Sequence, residues 1–163
     1  MKYFTPDLLE RYGSLDDRVA DAAHDEWEQT CTRYQERLAS LKRYLPGRFN
    51  AFLDEYALHD AGVIRGYGGD AFASRIGDKP QYFIELLVGP PPGERVVLMY
   101  QVCGSRPHDK SGGCFWLYDE VGAVDLNAPP VFSHTILFSD GVELEVHFTG
   151  FDFVKKSSLC NNP

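Results

Sequence analysis

The sequence predicts a single α+β domain spanning residues 1–163, in which N-terminal helices (one short, one long, one medium) cover a mainly antiparallel sheet of about six to eight strands. Three observations carry this reading. Apolar residues recur at helical spacing over about residues 5–58. Over about residues 62–155 they alternate or run in short blocks bounded by glycine and proline. The links between those blocks are short, which favours antiparallel neighbours over crossovers. The period changes at Tyr56-Ala57-Leu58-His59-Asp60-Ala61. With 163 residues, 44% apolar and 13% aromatic, the chain has the material for one core.

Thr5 before Pro6 and Asp7 reads as an N-cap, followed by a residue tolerated at the first helical position and an acid suited to a helix start, and Gly13 can stop the turn. A short helix over about Pro6 to Tyr12 follows. Ser14-Leu15-Asp16-Asp17 then resembles a capping box that opens a long helix with the stripe Val19, Ala23, Trp27, Cys31, Tyr34, Leu38, Leu41 and Leu45. Asp25, Glu28, Arg33, Glu36 and Lys42 fall mainly on its other faces. Pro46-Gly47 interrupts that stripe, and Phe49, Phe52, Leu53 and Tyr56 define a second amphipathic helix expected to fold back as a hairpin.

The expected strands are Val63 to Tyr67, Phe72 to Ile76, Tyr82 to Val88, Val96 to Cys103, Cys114 to Glu120, Val131 to Phe138 and Val142 to Phe148, with an edge segment Phe151 to Val154. The last hairpin is legible in more detail, because loop length fixes register and a one-residue slip exchanges the two faces. A two-residue Asp140-Gly141 turn would set Phe138 against Glu143 and gather His134, Glu145 and His147. A three-residue Ser139-Asp140-Gly141 loop with Gly141 left-handed sets Phe138 against Val142, Ile136 against Leu144 and His134 against Val146. The second register is expected, since it buries one coherent face with His134 inward and His147 outward. In Cys114-Phe115-Trp116-Leu117-Tyr118-Asp119-Glu120-Val121 aromatics fall on both faces, as in a central strand.

A formal charge of −8 and a pI near 5.0 disfavour nucleic acid or an anionic membrane as partner and favour a basic protein. No secretory leader or membrane helix is read in the sequence, so a cytoplasmic location is expected. The scattered Cys31, Cys103, Cys114 and Cys160 are expected to stay reduced. Cys103 and Cys114 could pair under oxidation if their strand ends meet. With His108 they make an incomplete zinc set lacking the paired spacing of structural sites, so no metal and no cofactor is expected.

His59-Asp60 is the best-placed polar pair, since an imidazole oriented by a carboxylate can act as acid or base. The favoured reading is structural, with His59 helping to satisfy the last helix carbonyls and Asp60 hydrogen-bonding the turn backbone. Asp119-Glu120 reads as a solvated strand end, because neighbouring strand residues face opposite ways and do not converge. Gly66-Tyr67-Gly68-Gly69-Asp70 has neither phosphate-loop nor dinucleotide spacing, and no serine sits in a nucleophile-elbow context.

Met1-Lys2-Tyr3-Phe4-Thr5-Pro6, Leu58-His59-Asp60-Ala61, Trp116 to Val121 and Phe132 to Gly141 together resemble a group of small bacterial proteins classed as domains of unknown function. The resemblance implies a bacterial cytosolic protein in which a helical hairpin leads into a sheet, and it implies no activity. The expectation is therefore an acidic binding or immunity-type module without catalysis of its own. Its candidate binding residues are His59, Asp60, Asp119, Glu120, Glu143 and Glu145. The alternative is a small hydrolase or metal-dependent enzyme built on His59 and Asp60 with nearby carboxylates.

Overall fold

The computed structural model describes residues 1–69, 81–90, 93–104 and 107–156. Among these residues three helices precede six strands: α1 (Pro6–Tyr12), α2 (Asp17–Leu41), α3 (Gly47–Glu55), β1 (Gly62–Gly69), β2 (Gln81–Val88), β3 (Glu94–Val102), β4 (Lys110–Asp125), β5 (Val131–Phe138) and β6 (Glu143–Lys156). The expected strand Phe72 to Ile76 lies outside the described residues.

The helix starts obey local chemistry. Thr5 Oγ1 accepts the Leu8 N–H at 3.2 Å, and Asp7 pairs with Arg11 one turn on. The long helix is capped by Asp16, whose carboxylate accepts the Arg18 N–H at 3.0 Å. Ser14 acts one step earlier, accepting the Asp16 N–H, so the expected capping box is replaced by a lone Asp cap. The helix stops at Leu41, yet Leu45 remains buried in the turn that follows.

The helices are not the lid of an open sheet. All strands pair antiparallel in the order β1-β2-β3-β6-β5-β4, and β4 pairs back onto β1 to close a barrel. Closure is carried by irregularities that bend and twist long strands: register shifts at Val63/Arg65 in β1, at Trp116/Tyr118 and Ala123/Asp125 in β4, and at Gln101/Val102 where β3 meets β6. At the β1–β4 seam a side chain on Gly112 would place its Cβ 2.2 Å from the Ile64 carbonyl oxygen, so only glycine lets the strands meet. The segment expected as an edge, Phe151 to Val154, is instead the second half of β6 and pairs with β3, because a closed barrel leaves no edge. Lys110–Gly113, expected as loop, belong to β4.

Alternation fills the interior. Tyr82, Ile84 and Leu86 from β2, Leu98 and Tyr100 from β3, Phe132, Ile136 and Phe138 from β5, and Val146 and Phe148 from β6 all point inward and are fully buried or nearly so. The final hairpin has the expected register: His134 opposes Val146, Ile136 opposes Leu144, the Phe138 N–H donates to the Val142 carbonyl, and Gly141 has φ +79°.

The two long-range helix placements differ from the hairpin expectation. α3 packs on β6, with Phe49 inserted among inward-facing His134, Phe148 and Phe151. α2 lies against α1 and β4, and its stripe is used along most of its length: Ala23 and Leu41 are buried and Trp27, Cys31, Tyr34 and Leu38 half-buried. Val19, the first member of the stripe, is exposed.

Trp27 packs against Phe4, Tyr12 and Tyr118, whereas Glu28 points to solvent. Trp27→Ala is expected to cost about 2 kcal/mol in urea melts and Glu28→Ala less than about 0.5 kcal/mol. Equal effects would contradict this placement of the helix face.

Candidate functional site

The most polar feature of the interior is centred on His134, fully buried in the barrel. Its Nε2 lies 3.0 Å from Asp119 Oδ2 and its Nδ1 lies 2.8 Å from the Tyr100 hydroxyl. The other Asp119 oxygen accepts the Trp116 indole N–H at 3.0 Å. A carboxylate only accepts, so the neutral imidazole that satisfies all partners carries its proton on Nε2 and accepts from Tyr100 at Nδ1. Burial holds the Tyr100 hydroxyl well above the ordinary tyrosine range, so it stays a donor. A hydroxyl, an imidazole and a carboxylate in line have the form of a proton relay. Here the rings of Phe49, Trp116 and Tyr100 pack around the imidazole, and the relay serves the core.

Asp119 reaches this position through a bulge. Strict alternation would put Trp116 and Tyr118 on one face. The register shift between them turns Trp116 into the barrel and Tyr118 outward beneath the helices, and it brings Asp119 inward. Glu120 then faces out, but it is 7% exposed and not a solvated strand end. Its carboxylate accepts the N–H groups of Lys2 (2.7 Å), Tyr3 (2.6 Å) and Phe4 (2.7 Å). That clamp holds Phe4 in a nest of Trp27, Tyr34 and Tyr118. Both members of the expected strand-end pair are thus committed to holding the fold.

His59 and Asp60 lie at the surface between α3 and β1. Their side chains meet at 2.9 Å, both more than half exposed, and the imidazole sits edge-on to Tyr118 at 5.2 Å. Asp60 takes φ +67°, a left-handed conformation Asp tolerates, with its N–H donated to the Trp116 carbonyl at 2.9 Å. The pair shapes the junction, and no third functional side chain hydrogen-bonds to it among the described residues.

Glu143 and Glu145 project from β6 as expected. Glu143 meets the Met1 amino group at 2.6 Å and Glu145 meets His147 Nε2 at 3.3 Å. With Glu120 they line a cleft of about 410 Å³ on the outer face of β4, β5 and β6, between the N-terminal segment and Arg37 of α2. The cysteines are separated by topology. Cys103 follows β3, its N–H bonded to the His147 carbonyl on β6, while Cys114 on β4 pairs with Val63. Strands β3 and β4 are not neighbours, so their ends do not bring the two thiols together, and both are free. Among the described residues no group of three or more His, Cys, Asp or Glu side chains could hold a metal ion.

Two features went unseen in the sequence. Glu85 on the outer wall is 2% exposed and is held by Arg65 at 3.0 Å, Lys156 at 2.9 Å and Arg95 at 3.6 Å. Burial alone would raise its carboxyl pKa; the Lys156 and Arg65 bonds more than offset that and leave it below the ordinary value. A depressed folded-state value contributes stability in full above the unfolded-state pKa, near 4.3, and that contribution is lost as pH falls through the folded value. Glu85→Gln is therefore expected to lower stability at pH 7 and to flatten the acid limb of a stability profile between about pH 5 and 3. A variant whose acid limb keeps the wild-type slope would contradict this. The partner cations are about half exposed, which keeps each pair modest.

The second feature is the end of the helical layer. Across residues 6–28 eight carboxylates face two arginines, and Leu15 is 102% exposed with Tyr12 and Val19 also open. The first helix turns and the N-cap demand some of these acids, but Asp21 and Asp25 satisfy no cap. Among the described residues these features define a closed six-stranded antiparallel barrel with an acidic helical flank. No protein-family model, curated protein or solved structure matches the chain. No helix among the described residues is long and apolar enough to cross a membrane.

Proposed function

We propose that this protein is a binding module of immunity type, without catalysis of its own, that takes a basic protein partner on its acidic helical flank. The observation that carries the reading is the concentration of charge. The eight carboxylates and two arginines of residues 6–28 hold a net −6 of the chain's −8, beside the exposed apolar side chains of Tyr12, Leu15 and Val19. Apolar contacts ringed by one sign of charge suit a partner of the opposite sign, steering its approach and then excluding water at the contact. Glu143 and Glu145 on β6 add a smaller acidic area. The hydrolase alternative needs His59-Asp60 to meet Asp119 or Glu120, and both of those carboxylates are bonded elsewhere.

The test is binding of a fluorescent deca-lysine peptide by anisotropy at several salt concentrations. Asp21→Lys with Asp25→Lys should weaken binding at least about tenfold and flatten its salt dependence. Glu143→Lys with Glu145→Lys changes net charge equally and should weaken it far less; His59→Ala should leave it unchanged. Equal loss in the two double variants would reduce the flank to bulk charge and overturn the assignment. Turnover of an ester or phosphoester that vanishes in folded His59→Ala would establish the enzyme reading instead.

A further inference from the structure

The cleft on the outer face of β4, β5 and β6 is built differently from the acidic flank. Strand order sets its chemistry. The N-terminal segment and α2 bring Lys2 and Arg37 to the cleft, β5 supplies Ser133 and Thr135, and β6 supplies Glu143 and Glu145. A Cβ on Gly122 would lie 2.7 Å from Ser133 Oγ, so the glycine keeps that part of the cleft open. Among the described residues neither cation has a carboxylate partner, and the Lys2 ammonium sits only over the Tyr3 ring at 5.5 Å. Ser133 and Thr135 make no side-chain hydrogen bond there. The acidic lining already takes an ammonium, because the Met1 amino group rests on Glu143, while Glu145 faces the cleft with the exposed His147 beside it.

Two cations without carboxylate partners call for an anionic group, and a carboxylate lining the same cleft calls for a cationic one. We infer that this cleft binds a short peptide with both termini free, its carboxylate on Arg37 and Lys2, its ammonium on Glu145 and its amide over Ser133 and Thr135. A free dipeptide carries one charge of each sign joined by an amide, which matches the cations, the carboxylate and the hydroxyls that line this cleft. The cleft volume of about 410 Å³ accommodates a dipeptide with small side chains. This site is independent of the basic partner proposed for the helical flank, which none of these residues touches.

The experiment is titration of the folded, isotope-labelled protein with Ala-Ala, N-acetyl-Ala-Ala and Ala-Ala-amide, read from the amide resonances of Gly122, Ser133 and Thr135. Ala-Ala should give saturable shifts with a Kd of about 1 mM, and each blocked form should bind at least about tenfold more weakly. Arg37→Gln should remove the preference for a free carboxylate, and Glu145→Gln the preference for a free amine. Both side chains project from the surface, and the unchanged remainder of each spectrum verifies folding. Absence of a saturable shift up to about 20 mM, a blocked form that binds as well as Ala-Ala, or variants that keep both preferences would overturn the assignment.

Discussion

A His134→Leu variant is expected to lose about 3 kcal/mol of unfolding free energy, although leucine is close to histidine in volume and more apolar. The reason is what it leaves behind. The Tyr100 hydroxyl is fully buried and loses its acceptor, and Asp119 loses one of its two donors, while Trp116 still holds the other oxygen. A buried donor stripped of its partner costs about 1 to 3 kcal/mol, and a carboxylate costs more than a neutral group. Tyr100→Phe removes the opposing hydroxyl and should cost about 1 to 2 kcal/mol. In the double variant the two losses should be less than additive, since the second substitution removes a group already orphaned. Urea denaturation of the four proteins checks this. Full additivity would show that the Tyr100 and His134 side chains do not depend on each other.

Glu120→Ala is expected to cost about 3 kcal/mol and to act locally as well as globally. Three N–H groups lose a charged acceptor at 2.6 to 2.7 Å, and nothing else in the clamp can replace it. The loss is bounded because residues 1–4 can swing into water. Once they do, Phe4 leaves Trp27, Tyr34 and Tyr118, and about 2 kcal/mol of apolar burial goes with it. The protein has two tryptophans, and Trp116 is sealed in the barrel, so a red shift of emission and stronger acrylamide quenching would report Trp27 alone. Glu120→Gln keeps an accepting oxygen and should recover part of the loss. Unchanged emission and midpoint in Glu120→Ala would show that the N-terminal segment is held by Phe4 packing without the carboxylate.

These two residues mark the boundary between what the sequence by itself determined and what only the tertiary structure decided. Local chemistry was enough for the first helix and for the packed face of the second, since caps, prolines and a 3.6-residue stripe act within a few positions: α1 lies over Pro6–Tyr12 as read, and the Trp27 face is the packed one, although α2 ends at Leu41 and leaves Leu45 to the turn. It was enough for the final hairpin too, because a glycine at positive φ and the requirement of one buried face leave a single register for His134 against Val146. Closure of the sheet was not legible. It depends on β1 meeting β4 some 50 residues away, on bulges that alternation does not announce, and on Gly112 fitting under the Ile64 carbonyl. The same bulge reversed the reading of Asp119 and Glu120. As adjacent strand residues they looked solvated and divergent; they do diverge, one into the barrel toward His134 and one outward onto the N-terminal backbone. Partners 15 and more than 115 residues distant fix them there. A sequence pattern reports what a residue's neighbours in the chain require, whereas a carboxylate's role is set by whichever donors the closed barrel carries to it.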